Sequence, residues 1–533
     1  MNQVEIRKRQ VEMCSHVLEM ITLLVLGCIL GDNGIVYLAF SVETFLLFWT
    51  LTGGELRETL GRMLRGKNAR GQYRNAAMLK RNAFALGGFM GILGGVAMFF
   101  CAAPLGERLL GIPYCVVLIR ILAPVVVLRT FSSILLGYFQ GDGTEFPTVI
   151  SCLMRQILIF GFSLLFAGLL ETRGRKVSAL LKQSDFTAMY GGMGVALAIV
   201  AAEALVLLFL FLVYRGSGKL EKRGSGEGAR ITDTFGGQMG ALYSNLFPMI
   251  LIALFEQLSL WAGMLCYRRS VTLEEGLNDY GLFFGRYIPL MGILLLPACA
   301  LLLESCYKVA GYVRKDEQRF ARANLSGGVH IGVIHGMFFA VFVAMLAPQL
   351  AGIWDDGGVG LLTRMLRFGS FVILFTLLGF YLSKILLLLG GKFQVLGLLA
   401  LTGLVFVIVM MVFLNSGKMG IMALIYAGVI SGAVCVAAAG ALLFYQTRIS
   451  IDWLQCAVIP AGVACAVGLV LMFVGKLATP HLGNLVTVLL CLVLGLICYW
   501  GVLILLRNFR EQELSYMPGG KLIRVLGQIF RLV

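Results

Sequence analysis

The sequence predicts an all-α polytopic membrane protein, and three observations lead there. Of its 533 residues, 59% are hydrophobic and 14% charged, with a mean hydropathy of +0.89. That is too apolar for a water-soluble domain. Runs of about 20 apolar residues, long enough to cross a bilayer as a helix, recur about fourteen times. Lys and Arg gather between alternate runs. With the N-terminus inside, roughly 29 lie on cytoplasmic segments, about 10 outside and about five within spans. This bias puts both termini in the cytoplasm. It also accounts for the net charge of +16 without nucleic acid.

The runs centre on Leu23, Phe45, Gly91, Pro124, Ile159, Ala202, Leu254, Leu294, Phe339, Ile373, Val405, Val429, Ala464 and Leu492. No small-residue cleavage site follows the first, which is therefore a retained helix and not a signal peptide. The second carries Glu43 and leaves through GGELRETLGRMLRGKNARGQYRNA, a basic, helix-prone cytoplasmic segment. The fourth carries Arg120 and Arg129, nine apart, so the two point in different directions at about 100° per residue. Arg129 is the deeper; Arg120 reaches toward the outer interface. The turn LLGYFQGDGTEFP leads into the fifth span, where Arg155 sits about two turns from the cytoplasm, within snorkelling reach. Glu203 marks the sixth, after which RGSGKLEKRGSGEGAR reads as a flexible linker.

Glu256 lies at the centre of the seventh span, and Arg286 near the outer start of the eighth. The eighth exits through LLESCYKVAGYVRKDEQRFARAN. His330 and His335 on the ninth are five apart, the wrong spacing for a metal pair on one helix face. They read as core histidines, with a proton-relay role for His335 as the alternative. His16 and Glu19 on the first helix are spaced to interact locally. Arg367, like Glu203, reads as a partner in an interhelical ion pair. LLLLGGKFQ joins the tenth and eleventh spans. In the tail MPGGKLIRVLGQIFRLV, Lys521, Arg524, Gln528 and Arg531 alternate with Leu522, Val525, Ile529 and Leu532, the pattern of a basic amphipathic helix on the inner leaflet. The thirteen cysteines form no C-x-x-C pair and lie almost wholly in spans as small hydrophobes.

The exits of the second and eighth spans resemble each other, as do the turns after the fourth and tenth, each pair offset by roughly 250 residues. A duplicated six-span unit inserts twice in the same orientation, giving parallel repeats with a site between them near the midplane. The expected organisation is an N-terminal six-helix lobe over 1–214, a cytoplasmic linker over 215–240 and a C-terminal six-helix lobe over 241–445. Two extra helices over 446–506 and the tail over 507–533 complete it.

Four stretches, in order, carry a family resemblance: LGDNGIVYLAFSVETFLLFWTLTGGELRETLGR, LGYFQGDGTEFPTVISCLMRQ, YGLFFGRYIPLMGILLLPACALLLESCYKVAGYVRKD, and LLLLGGKFQVLGLLAL with LNSGKMGIMALIYAGVI. With them the chain resembles the multidrug/oligosaccharidyl-lipid/polysaccharide (MOP) exporter superfamily. Within it the closest pattern is the polysaccharide-biosynthesis branch of stage V sporulation protein B-like proteins and MurJ-type lipid II flippases. The resemblance implies a V-shaped, alternating-access transporter that flips a polyprenyl-diphosphate-linked saccharide and is not an enzyme. Membrane lipids are its surroundings, and no cofactor is implied beyond a coupling Na⁺ or H⁺. A cation-coupled multidrug exporter of the same superfamily is the alternative. A membrane transferase and a non-transporting scaffold stand behind it.

Each charge inside a span costs about 2.5–3.5 kcal/mol on insertion scales, so such residues face a cavity or one another. The resembled flippases carry a cavity arginine where Arg286 stands here; Arg286, Arg129 and Glu43 are the substrate-cavity candidates. Glu256 is the candidate for the coupling ion or proton, or for an ion pair with Arg286. One departure stands out. The flippases place arginines in their first two helices, whereas EMITLLVLGCIL and YLAFSVETFLLFWTL contain none.

Overall fold

The computed structural model describes residues 3–144, 146–183, 185–221, 233–271, 273–354, 359–417, 419–449, 454–506 and 508–509. Among these residues all regular structure is helical. Twelve helices are long and apolar enough to cross a membrane. Two of them, α1 (Gln3–Trp49) and α16 (Ile459–Leu505), each have 47 residues, about 70 Å if straight, more than twice the hydrocarbon thickness. Each is broken at one glycine: Gly31 at φ 65, ψ 177 and Gly483 at φ 73, ψ 170. That region is open essentially to glycine alone. With those breaks the apolar segments number fourteen, and each holds one of the predicted centres.

The described chain divides into two compact units, Leu18–Gly285 and Met1–Val17 with Arg286–Val533. Of the predicted linker over 215–240, residues 222–232 lie outside the described residues, while 215–221 continue α6 and 235–240 open α7. The predicted tail helix also lies outside the described residues, beyond residue 509.

The N-terminal unit holds the rest of α1, α2 (Leu56–Ala69), α3 (Tyr73–Ala103), α4 (Tyr114–Gly141), α5 (Phe146–Leu181), α6 (Asp185–Glu221), α7 (Phe235–Ser270) and α8 (Leu273–Leu282). A π-helical turn, Thr50–Gly54, joins α1 to the segment before α2. The central helix is α4, which meets α2, α3 and α6. Its approach to α3 depends on missing side chains: a Cβ at Gly91 would lie 3.0 Å from the Thr130 Cβ, the small-residue packing usual between membrane helices. The start of α7 is tied down by polar side chains. Gln238 donates to the Asn75 carbonyl (3.1 Å) and accepts from Asn82 (3.0 Å), while Lys67 pairs with Asp233. Lys80, only 8% exposed, is held between the rings of Tyr138 (3.6 Å) and Tyr214 (4.4 Å).

The C-terminal unit holds α9 (Ile288–Arg314), α10 (Gln318–Met345), the short α11 (Ala347–Ala351) and α12 (Val359–Gly369), then α13 (Val372–Leu388), α14 (Lys392–Asn415), α15 (Met422–Thr447) and α16. The chain's first turns join it: Arg9 donates to the Tyr307 hydroxyl (2.9 Å) and Gln10 to the Ala300 carbonyl (3.0 Å). The most enclosed helix is α10, whereas α14 presents exposed Leu404, Ile408 and Val412, as a lipid-facing helix does. Tyr381 on α13 hydrogen-bonds Ser305 on α9 (2.9 Å) and the Asn324 carbonyl on α10 (3.2 Å), pinning three helices together.

Candidate functional site

Charge is concentrated where α4, α5 and α6 meet. Glu203 on α6 is completely buried. Its Oε1 accepts from Arg129 Nε at 2.8 Å and pairs with Arg129 Nη2 at 2.6 Å from α4, and Arg155 Nε from α5 lies 2.8 Å away in an ion-pair contact outside hydrogen-bond geometry. Two guanidiniums thus share one carboxylate oxygen, and the trio carries one surplus positive charge. Among the described residues, Glu203 Oε2 has no hydrogen-bond partner. The arginine side chains keep 17% and 14% of their surface. Arg129 is also flanked by aromatic rings of α1, its Cζ being 5.1 Å from both Phe45 and Trp49. A guanidinium over desolvated rings is stabilised by about 1–2 kcal/mol.

This geometry bears on the arginines missing from the first two spans. Arg129 reaches the aromatic face of the second span from the fourth, so the N-terminal unit does place a cation there. Glu203 follows its expectation as a partner between helices. Arg155 is drawn inward to Glu203, and Arg120 is exposed with its guanidinium over Phe99 (5.5 Å).

Glu43 and Glu256 behave differently. Glu43 is half-buried and accepts a hydrogen bond from Gln257 on α7. Phe40, almost one turn before Glu43, stacks on Tyr280 at 5.0 Å. Glu256 is exposed and has an interaction of its own. Adjacent helical residues point about 100° apart, so α7 turns Gln257 toward Glu43 and Glu256 away. A carboxamide is unremarkable to a search for charge, which is why Gln257 was missed from sequence.

Arg286 falls in another π-helical turn, Phe283–Tyr287, just before α9. Such turns recur at functional positions in helices. Its side chain is buried, 5% exposed, with Cζ 5.9 Å from the Trp354 ring. The next residue, Tyr287, donates to the Gly369 carbonyl (2.9 Å). Arg286 belongs to the C-terminal unit, and Glu256 to the N-terminal unit.

On α10, His330 is fully buried; its Nε2 lies 2.8 Å from the Asn508 side-chain nitrogen, and Phe509 stacks on its ring at 5.5 Å. His335 meets Trp500 edge-on at 6.2 Å. Arg367 differs from its expectation: it is exposed on α12, with no side-chain partner among the described residues. The physical reason is that α12 is a separate amphipathic helix; the tenth span begins at Phe371.

No family model matches the chain. Over 203 residues, 38% of its length, the chain is 22% identical to stage V sporulation protein B of Bacillus subtilis strain 168, a match that spans 37% of that relative. The inward closed structure of the lipid II flippase MurJ matches 94% of this chain and 99% of its own, at TM-score 0.65 and 12% identity. An inward-facing multidrug-resistance MATE transporter of the MOP superfamily matches 82% of this chain and 96% of its own, at TM-score 0.61 and 13% identity. A MOP superfamily transporter from Pyrococcus furiosus, described as having a binding pocket of reversed polarity, matches 84% of this chain at TM-score 0.56 and 14% identity. The chain therefore has the fold of the MOP transporters.

Proposed function

We propose that this protein is a transporter that flips a polyprenyl-diphosphate-linked saccharide across the bacterial cytoplasmic membrane, with both termini on the cytoplasmic side. The observation that carries the reading is coverage: the MurJ likeness takes in 94% of this chain and 99% of that one, whereas the MATE structures match 82% to 86% of it. The sequence match to stage V sporulation protein B points the same way.

The chemistry of such a substrate suits what the chain offers. A diphosphate needs guanidiniums, which bind phosphate oxygens in pairs. A saccharide needs polar surroundings, and a polyprenyl tail can remain in lipid. Arg129 and Arg286 are the proposed diphosphate ligands, and Glu43 is the third proposed substrate-cavity residue. Glu256 is proposed to carry the coupling Na⁺ or H⁺. The two six-helix repeats would supply the alternating-access movement.

The MATE likenesses favour a second reading, a cation-coupled multidrug exporter. Depletion in cells separates the two. Loss of a flippase leaves lipid-linked precursor on the inner leaflet; loss of a drug exporter leaves precursor pools unchanged and sensitises cells to amphipathic cations.

A further inference from the structure

The Arg129–Glu203–Arg155 trio has more cation than it needs. One guanidinium is enough to neutralise Glu203, yet two contact its Oε1 at 2.6–2.8 Å. Much of their donor capacity is unspent: among the described residues, Arg129 Nη1 and both Arg155 Nη atoms meet no acceptor. Both side chains retain some accessible surface, while Glu203 has none. A third arginine, Arg57 at the start of α2, is close enough to repel Arg155 and has partners of its own. An ordinary structural ion pair between helices balances its charges, because an uncompensated buried charge is costly. This one is unbalanced within the membrane and keeps open donors.

We propose that Arg129 is an exchangeable guanidinium that leaves Glu203 to bind a phosphate group of the transported lipid, while Arg155 stays behind to neutralise the glutamate. The proposal rests on the lipid-diphosphate reading above and adds to it a built-in competitor. Glu203 holds Arg129 when the site is empty and gives it up to a more highly charged anion. Phe45 and Trp49 give the guanidinium a low-friction track, since stacking is preserved while the hydrogen bonds change partner. Arg155 is then a positioning residue: it touches no ligand but sets how freely Arg129 can leave.

This arrangement makes an unusual set of predictions for the purified full-length protein in detergent. Farnesyl diphosphate is the lipid probe and inorganic pyrophosphate the free-anion probe: farnesyl diphosphate should bind the more tightly and respond to the variants below, and pyrophosphate binding as tightly would make the site one for a soluble anion and overturn the lipid assignment. Arg129→Ala should weaken binding at least tenfold. Glu203→Gln, which removes the competitor's charge, should tighten it severalfold. Arg155→Ala should weaken binding severalfold, because Arg129 alone must then satisfy Glu203. Adding Glu203→Gln to Arg155→Ala should restore binding to the wild-type level or better. That rescue of affinity, read on variants that remain folded, is the decisive result: residues that merely staple helices together can regain stability through a second loss, but have no reason to regain diphosphate binding.

If a variant fails to fold, a protein retaining Trp49 as its sole tryptophan of the five provides the second measurement. Its emission should shift as diphosphate draws Arg129 across the ring. Unchanged affinity in Arg129→Ala and Glu203→Gln, absence of the double-variant rescue, or a silent Trp49 during saturation overturns the proposal and leaves the flippase reading standing. Wild-type protein that binds tetraphenylphosphonium but neither diphosphate overturns both.

Discussion

Replacing Glu203 by alanine tests whether the buried trio is held together by charge. The carboxylate is fully buried and forms ion pairs with both guanidiniums. Removing one partner of a buried ion pair costs about 3–5 kcal/mol, because the remaining charge stays desolvated. Two effects place this case in the lower half of that range. The arginines keep 17% and 14% of their surface and so regain some hydration, and Phe45 and Trp49 still face Arg129. A loss of about 3 kcal/mol follows. At roughly 2 °C per kcal/mol for a folding unit of this size, the melting midpoint in detergent should fall by roughly 6 °C, measured by thermal challenge followed by size-exclusion chromatography. The matched control replaces all three residues with apolar ones, Arg129→Met, Arg155→Met and Glu203→Leu. This removes the desolvation cost along with the attraction and should leave the midpoint within about 2 °C of wild type. A Glu203→Ala protein as stable as wild type, or an apolar triple variant as unstable as the single one, would refute the charge argument.

Three further outcomes are expected. Gly31→Ala should destabilise the protein by about 1–3 kcal/mol through backbone strain. No atom lies near the added Cβ, so a normal melting midpoint would mean that the break between the first two spans relaxes at no cost. Lys80→Met should lower the midpoint by losing a desolvated cation–π contact of about 2 kcal/mol, while Lys80→Arg should largely preserve it; equal effects would point to packing instead. Arg286→Ala should abolish complementation of a depletion strain at unchanged protein level, and normal growth would remove Arg286 from the proposed site.

Hydropathy placed all fourteen apolar segments because it is a property of consecutive residues, which is also how a bilayer reads a chain. The breaks at Gly31 and Gly483 were implied by the same signal, since no straight 47-residue helix fits one crossing. Rotation about each helix axis was a different matter. Arg129, Arg155 and Glu203 were each visible as charges inside spans, but their convergence depends on how α4, α5 and α6 turn toward one another. Nothing in their spacing along the chain encodes that. The same limit explains why Glu256 attracted notice while its neighbour Gln257 makes the contact to Glu43. Arg367 was misassigned because α12 interrupts what reads as one apolar run.

The residues that follow the last helix have a practical consequence for anyone who shortens or tags this chain. Asn508 and Phe509 lie beyond Leu505 yet are buried, the first against His330 and the second between His330 and Trp500. Gln455 also donates to the Asn508 carbonyl at 2.9 Å. The C-terminal unit therefore extends at least to Phe509 and not merely to the end of the final span. A stop codon after residue 505, where a hydropathy plot would suggest one, strips an aromatic layer from the bundle and exposes a histidine that the native chain keeps dry.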